Sequence, residues 1–557
     1  MTESSLQVVL CWHMHQPEYR DPRTGVFEQP WTLLHGLKDY TDMAAHLERV
    51  EGARAVVNFS PLLVEQIDAL VAQLNTFLDG GPAPAEPLLA ALGDAGPPTE
   101  ATARARLLDR CLHANPERQL GRFPALARLS TLARAALSDP GVEQWLQGNF
   151  VTDLVCWYLL AWLGESIERD DARARRLRQV EHGFGPAQRR ELLELIRDQL
   201  GSVVPRWRAL AESGRVELAC NPYAHPMLPL LVDFDSAREA RPDIELPTGT
   251  YPEGVERSRV HLERGAAVHA EHFGVPAQGC WPSEGGISDA ALELIGATGF
   301  TWCASGQQVL RHSLDTDEPG SDQLHRPWRF GAEGPLVFFR DDGLSDDIGF
   351  TYQGWHAEDA VADLLGHLER IADDPEAAPG RVVPIVLDGE NAWEYYPDNA
   401  WHFLDALYRG LVEHTRIELT TFGDIARQAD VAAGTLDHVV AGSWVHGSFD
   451  AWIGDPQKNR AWELLVAARQ AVDEARASGA PWSAEAERQL AVCEGSDWFW
   501  WPGEYNPESG VAAFDALFRR QLAALYEAAG LAPPSELDHP FAHGGGAPEQ
   551  GGTMRRG

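Results

Sequence analysis

The chain has 557 residues, 44% hydrophobic and 23% charged, a mix that excludes a disordered or collagen-like polymer and fits several domains or one large α/β domain with attachments. Its 46 basic and 83 acidic residues give a formal charge of −37, a surface that repels nucleic acid and anionic membrane, so neither is an expected partner. Lys38 and Lys458 are its only lysines.

The amino-terminal stretch MTESSLQVVLCWHMHQP has no basic region followed by a long apolar run, and no window approaches the roughly 20 apolar residues of a membrane span. Seven scattered cysteines without a C-x-x-C pair read as reduced thiols, so a cytoplasmic location is expected. Residues 6–12 and 53–59 read as buried strands, and 62–77 has helical apolar spacing. A loop rich in Ala, Pro and Gly covers about 80–98, and a helical insertion follows over about 99–211. Strands are expected at 215–219, 279–281, 300–303, 336–340 and 382–387, with helices at 258–273, 287–298 and 359–373 between them. This alternation implies parallel pairing through crossover connections. Beyond about 428 the chain reads as helical again, with long amphipathic candidates at 462–477 and 511–530, and a loose tail is expected from about 533.

The chemistry-bearing motifs lie just past successive strands, where a β/α barrel builds its active site. HMHQP follows the first strand, and in an extended segment His13 and His15 face the same way. Two readings stand open: a metal site using His13 and His15 with His225 or Asp388, or imidazoles lining a sugar pocket. RVELACNPYAHPMLPLL carries Glu217 in a strand and His225 in the loop after it. In GCWPSEGGIS, Glu284 sits beside Trp281 between a strand end and a helix start, a placement that suits a nucleophile or a helix-start cap. In VVPIVLDGENAWE, Asp388 follows an apolar strand, with Glu390 and Trp393 close behind. The chain has 19 tryptophans, many beside carboxylates. Apolar sugar faces and hydroxyl rims call for that pairing of aromatic platforms with acidic acceptors.

Taken in order with FFRDDGLSDDIGF, which contains Arg340, and GSWVHGSFDAWIG, these motifs resemble glycoside hydrolase family 57 over about residues 6–530. The resemblance implies an incomplete seven-stranded β/α barrel with helical insertions (1–428), an all-α domain completing the site (429–532) and a tail (533–557). It implies a retaining α-glucan-acting enzyme without metal or other cofactor, of the α-amylase and amylopullulanase branch, with 4-α-glucanotransferases and branching enzymes as relatives. Matched motif by motif, Glu284 is the nucleophile and Asp388 the general acid/base. His13, His15, Glu217 and His225 hold the sugar at the cleavage point, and Arg340, Trp444, Asp450 and Asp497 are further carbohydrate contacts. The two roles require Asp388 protonated while Glu284 is ionised.

Overall fold

The structure, a computed structural model, describes residues 5–143, 146, 149–316, 319–374, 380–428 and 431–546. Seven strands form its centre: β1 (Leu6–Met14), β2 (Ala55–Phe59), β3 (Val216–Cys220), β4 (Gly279–Cys280), β5 (Trp302–Gly306), β6 (Leu336–Arg340) and β7 (Val382–Asp388). All pair in parallel, in the spatial order β6-β5-β4-β3-β2-β1-β7. Three short strands extend the sheet. Trp328–Phe330 runs antiparallel to β6, Gly434–Leu436 lies beside it, and Ile417–Leu419 pairs with the start of β1.

Between β6 and β7 no ladder forms among the described residues. The seam is crossed instead by the Asp341 N–H to the Pro384 carbonyl (2.9 Å) and by Arg340 Nε to the Val386 carbonyl (2.8 Å). In a parallel strand the N–H and C=O of one residue point the same way. Pro384 turns its carbonyl to the seam, so the donor that proline lacks is missing there. The barrel is therefore incomplete where the sequence puts a proline in a strand.

Side chains obey the period of two. Along β1, Val8, Leu10, Trp12 and Met14 pack outward against helices, whereas Val9 and Cys11 face the barrel interior with Val56, Ala219, Trp302, Phe338 and Val386. The interior row of β1 continues to His13, and that of β7 runs from Val386 to Asp388. Alternation thus delivers both side chains to the carboxyl end of the barrel.

Glu217 lies on the interior face too, but at the other end. It aligns with Val56, one inward step below Asn58. Its carboxyl accepts Trp302 Nε1–H (2.8 Å) and the Gly423 N–H (2.7 Å) at the barrel floor. The expected sugar contact at Glu217 is therefore corrected: the residue has the right face and the wrong depth. Burial pushes its carboxyl up, against the hydrogen bonds from Gly423 and Trp302.

Helices between β2 and β3 include Pro61–Leu78, Ala101–Arg110, Pro124–Ser138, Phe150–Ala161 and Pro186–Glu212. Trp31–Leu37 and Asp39–Arg49, between β1 and β2, are helices that apolar spacing alone did not single out. Past the barrel, residues 437–455 form neither helix nor strand, and the helices begin at Pro456, so the expectation of helix from 428 onward is corrected. Pro456–Ala477, Ala484–Cys493 and Glu508–Ala528 then pack on the open end. The tail is docked as far as it is described: Leu537 and Ala542 are buried, and Asp515 accepts the Phe541 N–H (2.9 Å). Residues 547–557 of the expected loose tail lie outside the described residues. All seven cysteines are buried and unbridged, and no described helix is long and apolar enough to cross a membrane.

Replacing Glu217 by Ala would strand two buried donors, Trp302 Nε1–H and the Gly423 N–H. We expect a stability loss of about 1–3 kcal/mol with maltooligosaccharide affinity per folded molecule unchanged, checked by thermal unfolding and calorimetry. Weakened binding at unchanged stability would put Glu217 back in the site.

Candidate active site

A cleft of about 540 Å³ opens over the carboxyl end of the barrel, lined by His13, His15, Glu284, Arg340, Asp388, Glu390, Trp444 and Asp497 among others. Glu284 enters it from the turn after β4. Its φ of 59° lies in the left-handed region, a costly conformation for a residue with a side chain. Gly285 follows with the same φ, and a Cβ there would crowd Trp444, Ser305 and Trp281 at 3.3–3.4 Å. The turn is held from outside. Trp444 donates its backbone N–H to the Glu284 carbonyl (3.1 Å) and its indole N–H to the Glu284 carboxyl (3.2 Å), and Gly442 bridges to Ile287.

Asp388 ends β7 and accepts from Asn391 Nδ2 (2.9 Å). Burial raises its pKa, and the Asn391 hydrogen bond works against this. Burial also pushes Glu284 up, to about 8, with the charges of Asp497 and Asp388 adding to the rise. Glu390 is raised well above its ordinary value by burial and by Asp388, and accepts the His15 N–H (3.1 Å) and Gln16 Nε2–H (3.2 Å). The expectation of an ionised Glu284 beside a protonated Asp388 is therefore corrected. Burial pushes both carboxyls toward the protonated form, and Glu284 is pushed further by the charges of Asp497 and Asp388.

Three imidazoles stack beneath the cleft, of which His13 and His15 line it and His225 is buried behind them. His13 bonds Asn58 (2.7 Å), His15 bonds Ser60 (2.9 Å) and both Asp497 oxygens (3.2 Å), and His225 bonds Ser496 (2.9 Å). His15 and His225 stack at 3.7 Å and 15°, and His13 stacks on His225 at 5.3 Å. His225 itself has a φ of 56° and lies 3.9 Å from Glu284. Burial pushes His13 down to about 3 and His225 well below its ordinary value, so both are neutral at pH 7. His15, His225 and Asp497 come within reach of one ion. A bound ion must lie in the plane of each imidazole that ligates it, and two rings stacked face to face cannot both satisfy this. The geometry suits a hydrogen-bonding wall better than a metal centre.

Other expected contacts fall outside the cleft surface. Trp281 is fully buried and meets Trp444 edge-on at 5.1 Å, supporting it from beneath. Trp393 is fully buried, donates to the Gly389 carbonyl (2.8 Å) and packs against Trp12. Asp450 pairs with Arg241 on the outer side. Arg340 lines the cleft, but its guanidinium is committed to Asp342 and Asp346, at 2.7 Å each, and to the Val386 carbonyl. The structure adds Trp31, His35, Asn391, Trp500, Trp501 and Phe514 to the lining. Asn391 and Trp500 sit inside motifs read for other residues. Trp31 and His35 belong to a helix after β1 that the search at strand ends did not reach.

A profile described as Glycosyl hydrolase family 57 matches residues 9–434. Among curated proteins no sequence matches this chain. The fold is similar to that of a GH57-type branching enzyme from Pyrococcus horikoshii, at TM-score 0.54 and 15% identity over 96% of this chain and 93% of that one. It is similar to the α-amylase AmyC of Thermotoga maritima, at TM-score 0.54 and 13% identity over 94% and 93%. A 4-α-glucanotransferase from Thermococcus litoralis matches at TM-score 0.51 and 12% identity, over 94% of this chain and 60% of that one. At these identities the likeness establishes a common fold. With the profile match spanning most of the barrel, the chain belongs to glycosyl hydrolase family 57, a family of glycosidases and related glycosyl-transfer enzymes.

Proposed function

We propose that the chain is a retaining enzyme that opens α-1,4-glucans by α-amylase-like hydrolysis, with Glu284 as nucleophile and Asp388 as general acid/base. The observation that carries this reading is the pair itself: two carboxyls that follow separate strands face one cleft, both pushed up by burial, with the charge of Asp388 adding to the rise at Glu284. Attack of the Glu284 carboxylate on the anomeric carbon forms the glycosyl–enzyme bond as Asp388 protonates the departing oxygen. Asp388 then removes a proton from water as the ester breaks. The neutral His13 and the Trp444 ring, both lining the cleft, suit sugar hydroxyls and ring faces.

Transfer to a second sugar is a further outcome of the same intermediate. Trp31, Trp500, Trp501 and Phe514 give the cleft aromatic surface beyond the carboxyls, a place for an acceptor sugar to stack. Incubation with amylose and maltooligosaccharides tests both. Shorter chains alone indicate hydrolysis, and chains longer than the substrate or new α-1,6 branches indicate transfer. No product of any kind would defeat the reading, as would activity abolished by chelators and restored by a divalent metal.

Glu284→Gln should lower turnover by at least about a thousandfold while glucan binding persists. The same variant tests the electrostatics. A folded-state pKa raised from 4.5 to about 8 contributes stability that is full below 4.5 and lost as pH rises through 8. The wild type should therefore lose stability relative to Glu284→Gln across that window, and parallel melting curves from pH 4 to 9 would contradict it.

Asp388→Asn should be nearly as damaging on natural glucans. Substrates with a good leaving group should recover much of the glycosylation rate, because protonation matters less in that step. Equal loss on both substrate types would mark Asp388 as structural.

A further inference from the structure

Lysine occurs twice in a chain otherwise basic through arginine, and both lysines are interior: Lys38 is 3% exposed and Lys458 is 0%. A compact ammonium fits where a planar guanidinium would not, and it aims three donors at closely spaced oxygens. Each lysine leads to one wall of the cleft.

Lys458 sits in the first turn of the helix Pro456–Ala477. Its Nζ donates to the carbonyls of Phe499 (2.7 Å) and Trp500 (2.8 Å), at the end of the short turn Asp497–Trp500. That turn places Asp497 and Trp500 in the cleft. One turn further along the same helix, Trp462 stacks on Phe499 at 3.6 Å and 2°.

Lys38 lies on the opposite wall, between the helices Trp31–Leu37 and Asp39–Arg49. Its Nζ is 3.0 Å from one Asp39 oxygen, and the other Asp39 oxygen takes Nδ1 of His35 (2.6 Å), which lines the cleft. The same ammonium donates to Asn399 Oδ1 (2.9 Å). Asn399 is the middle of three successive left-handed residues, Asp398, Asn399 and Ala400, with φ of 50°, 53° and 57°. Such a run holds only when its surroundings over-determine it, and Asn399 also donates to Asp42 (3.1 Å). The strained run closes the loop whose Asn391 bonds Asp388.

We infer that Lys38 and Lys458 are positioning residues for the reaction, fixing the wall that carries His35 and Asn391 and the wall that carries Asp497 and Trp500. The inference rests on the glucan-cleaving reading above. Neither lysine lines the cleft or touches the reacting atoms.

Gln variants of each, assayed on maltooligosaccharides below their melting temperatures, test it. Lys38→Gln should lower kcat, because Asn391 and with it Asp388 lose their setting. Lys458→Gln should mainly raise KM, because a sugar-facing wall shifts. Either change should reach up to about a hundredfold, the scale on which displacements near 1 Å act. Lys458→Arg adds a readout that stability alone would not move. Glu284 faces Asp497, Asp388 and His225, and Asp497 is the strongest charge raising it. A displaced Asp497 should move the Glu284-controlled limb of the pH profile to lower pH while the total charge stays the same. Folded variants with wild-type kcat, KM and pH profile would overturn the inference. So would failure of both the Gln and Arg variants to fold, which would assign the lysines to stability alone. A wild-type protein inert toward every glucan would instead refute the functional reading, and this is seen before any substitution is made.

Discussion

Four carboxyl groups, Glu284, Asp388, Glu390 and Asp497, meet over the open end of a barrel in a protein already carrying a charge of −37. Burial disfavours negative charge on Glu284, Asp388 and Glu390. The two most buried imidazoles are neutral and offer hydrogen bonds rather than countercharge. Arg340 lines the same cleft, but its guanidinium is already paired with Asp342 and Asp346. Retained protons are the remaining solution. A site that must hold protons on carboxyls at neutral pH has the state that acid/base and nucleophilic work on one bond requires.

The barrel makes this crowding possible through its incompleteness. A closed ladder between β6 and β7 would draw Arg340 and Asp341 into regular pairing. With Pro384 on the seam, Arg340 reaches across to a carbonyl of β7 and turns the rest of its guanidinium to the acidic stretch that follows β6. The helices after Pro456 then supply what the barrel lacks. Asp497 reaches His15, and Ser496 fixes His225 through both its side chain and its N–H. Barrel and helices thus share one hydrogen-bonded site.

Much of this was legible in the sequence, because strands alternate and the inward row of a barrel strand must end at its carboxyl rim. That rule carries His13 and Asp388 to the rim, where both line the cleft, and His15 lies just past the end of the first strand. It failed at Glu217 for want of depth: the same alternation holds along the whole strand and cannot say which inward residue is last. Trp393 lies off the cleft because adjacency within a motif does not decide which neighbour turns inward, and Asp450, a contact implied only by the family resemblance, pairs with Arg241 instead. The partners that tune the site, such as Asn391, Ser496 and the two lysines, are set by contacts between segments far apart in the chain, and local pattern carries no trace of them. Residues 437–455 misled for another reason. They are apolar enough to be buried, yet glycine-rich, and they serve as an irregular strap that fastens Glu284.

The strap has a consequence in time. Glu284 keeps its left-handed backbone because Trp444 grips it at both the carbonyl and the carboxyl. Trp444 is synthesised long after the strands around Glu284, and Asp497 and Ser496 come later still. A nascent chain made only as far as Asp388 therefore carries both carboxyls on a nearly finished barrel without Trp444, Ser496 and Asp497, the groups that contact them or their neighbours. The site is complete only once the last helices, which bring Ser496 and Asp497, are in place.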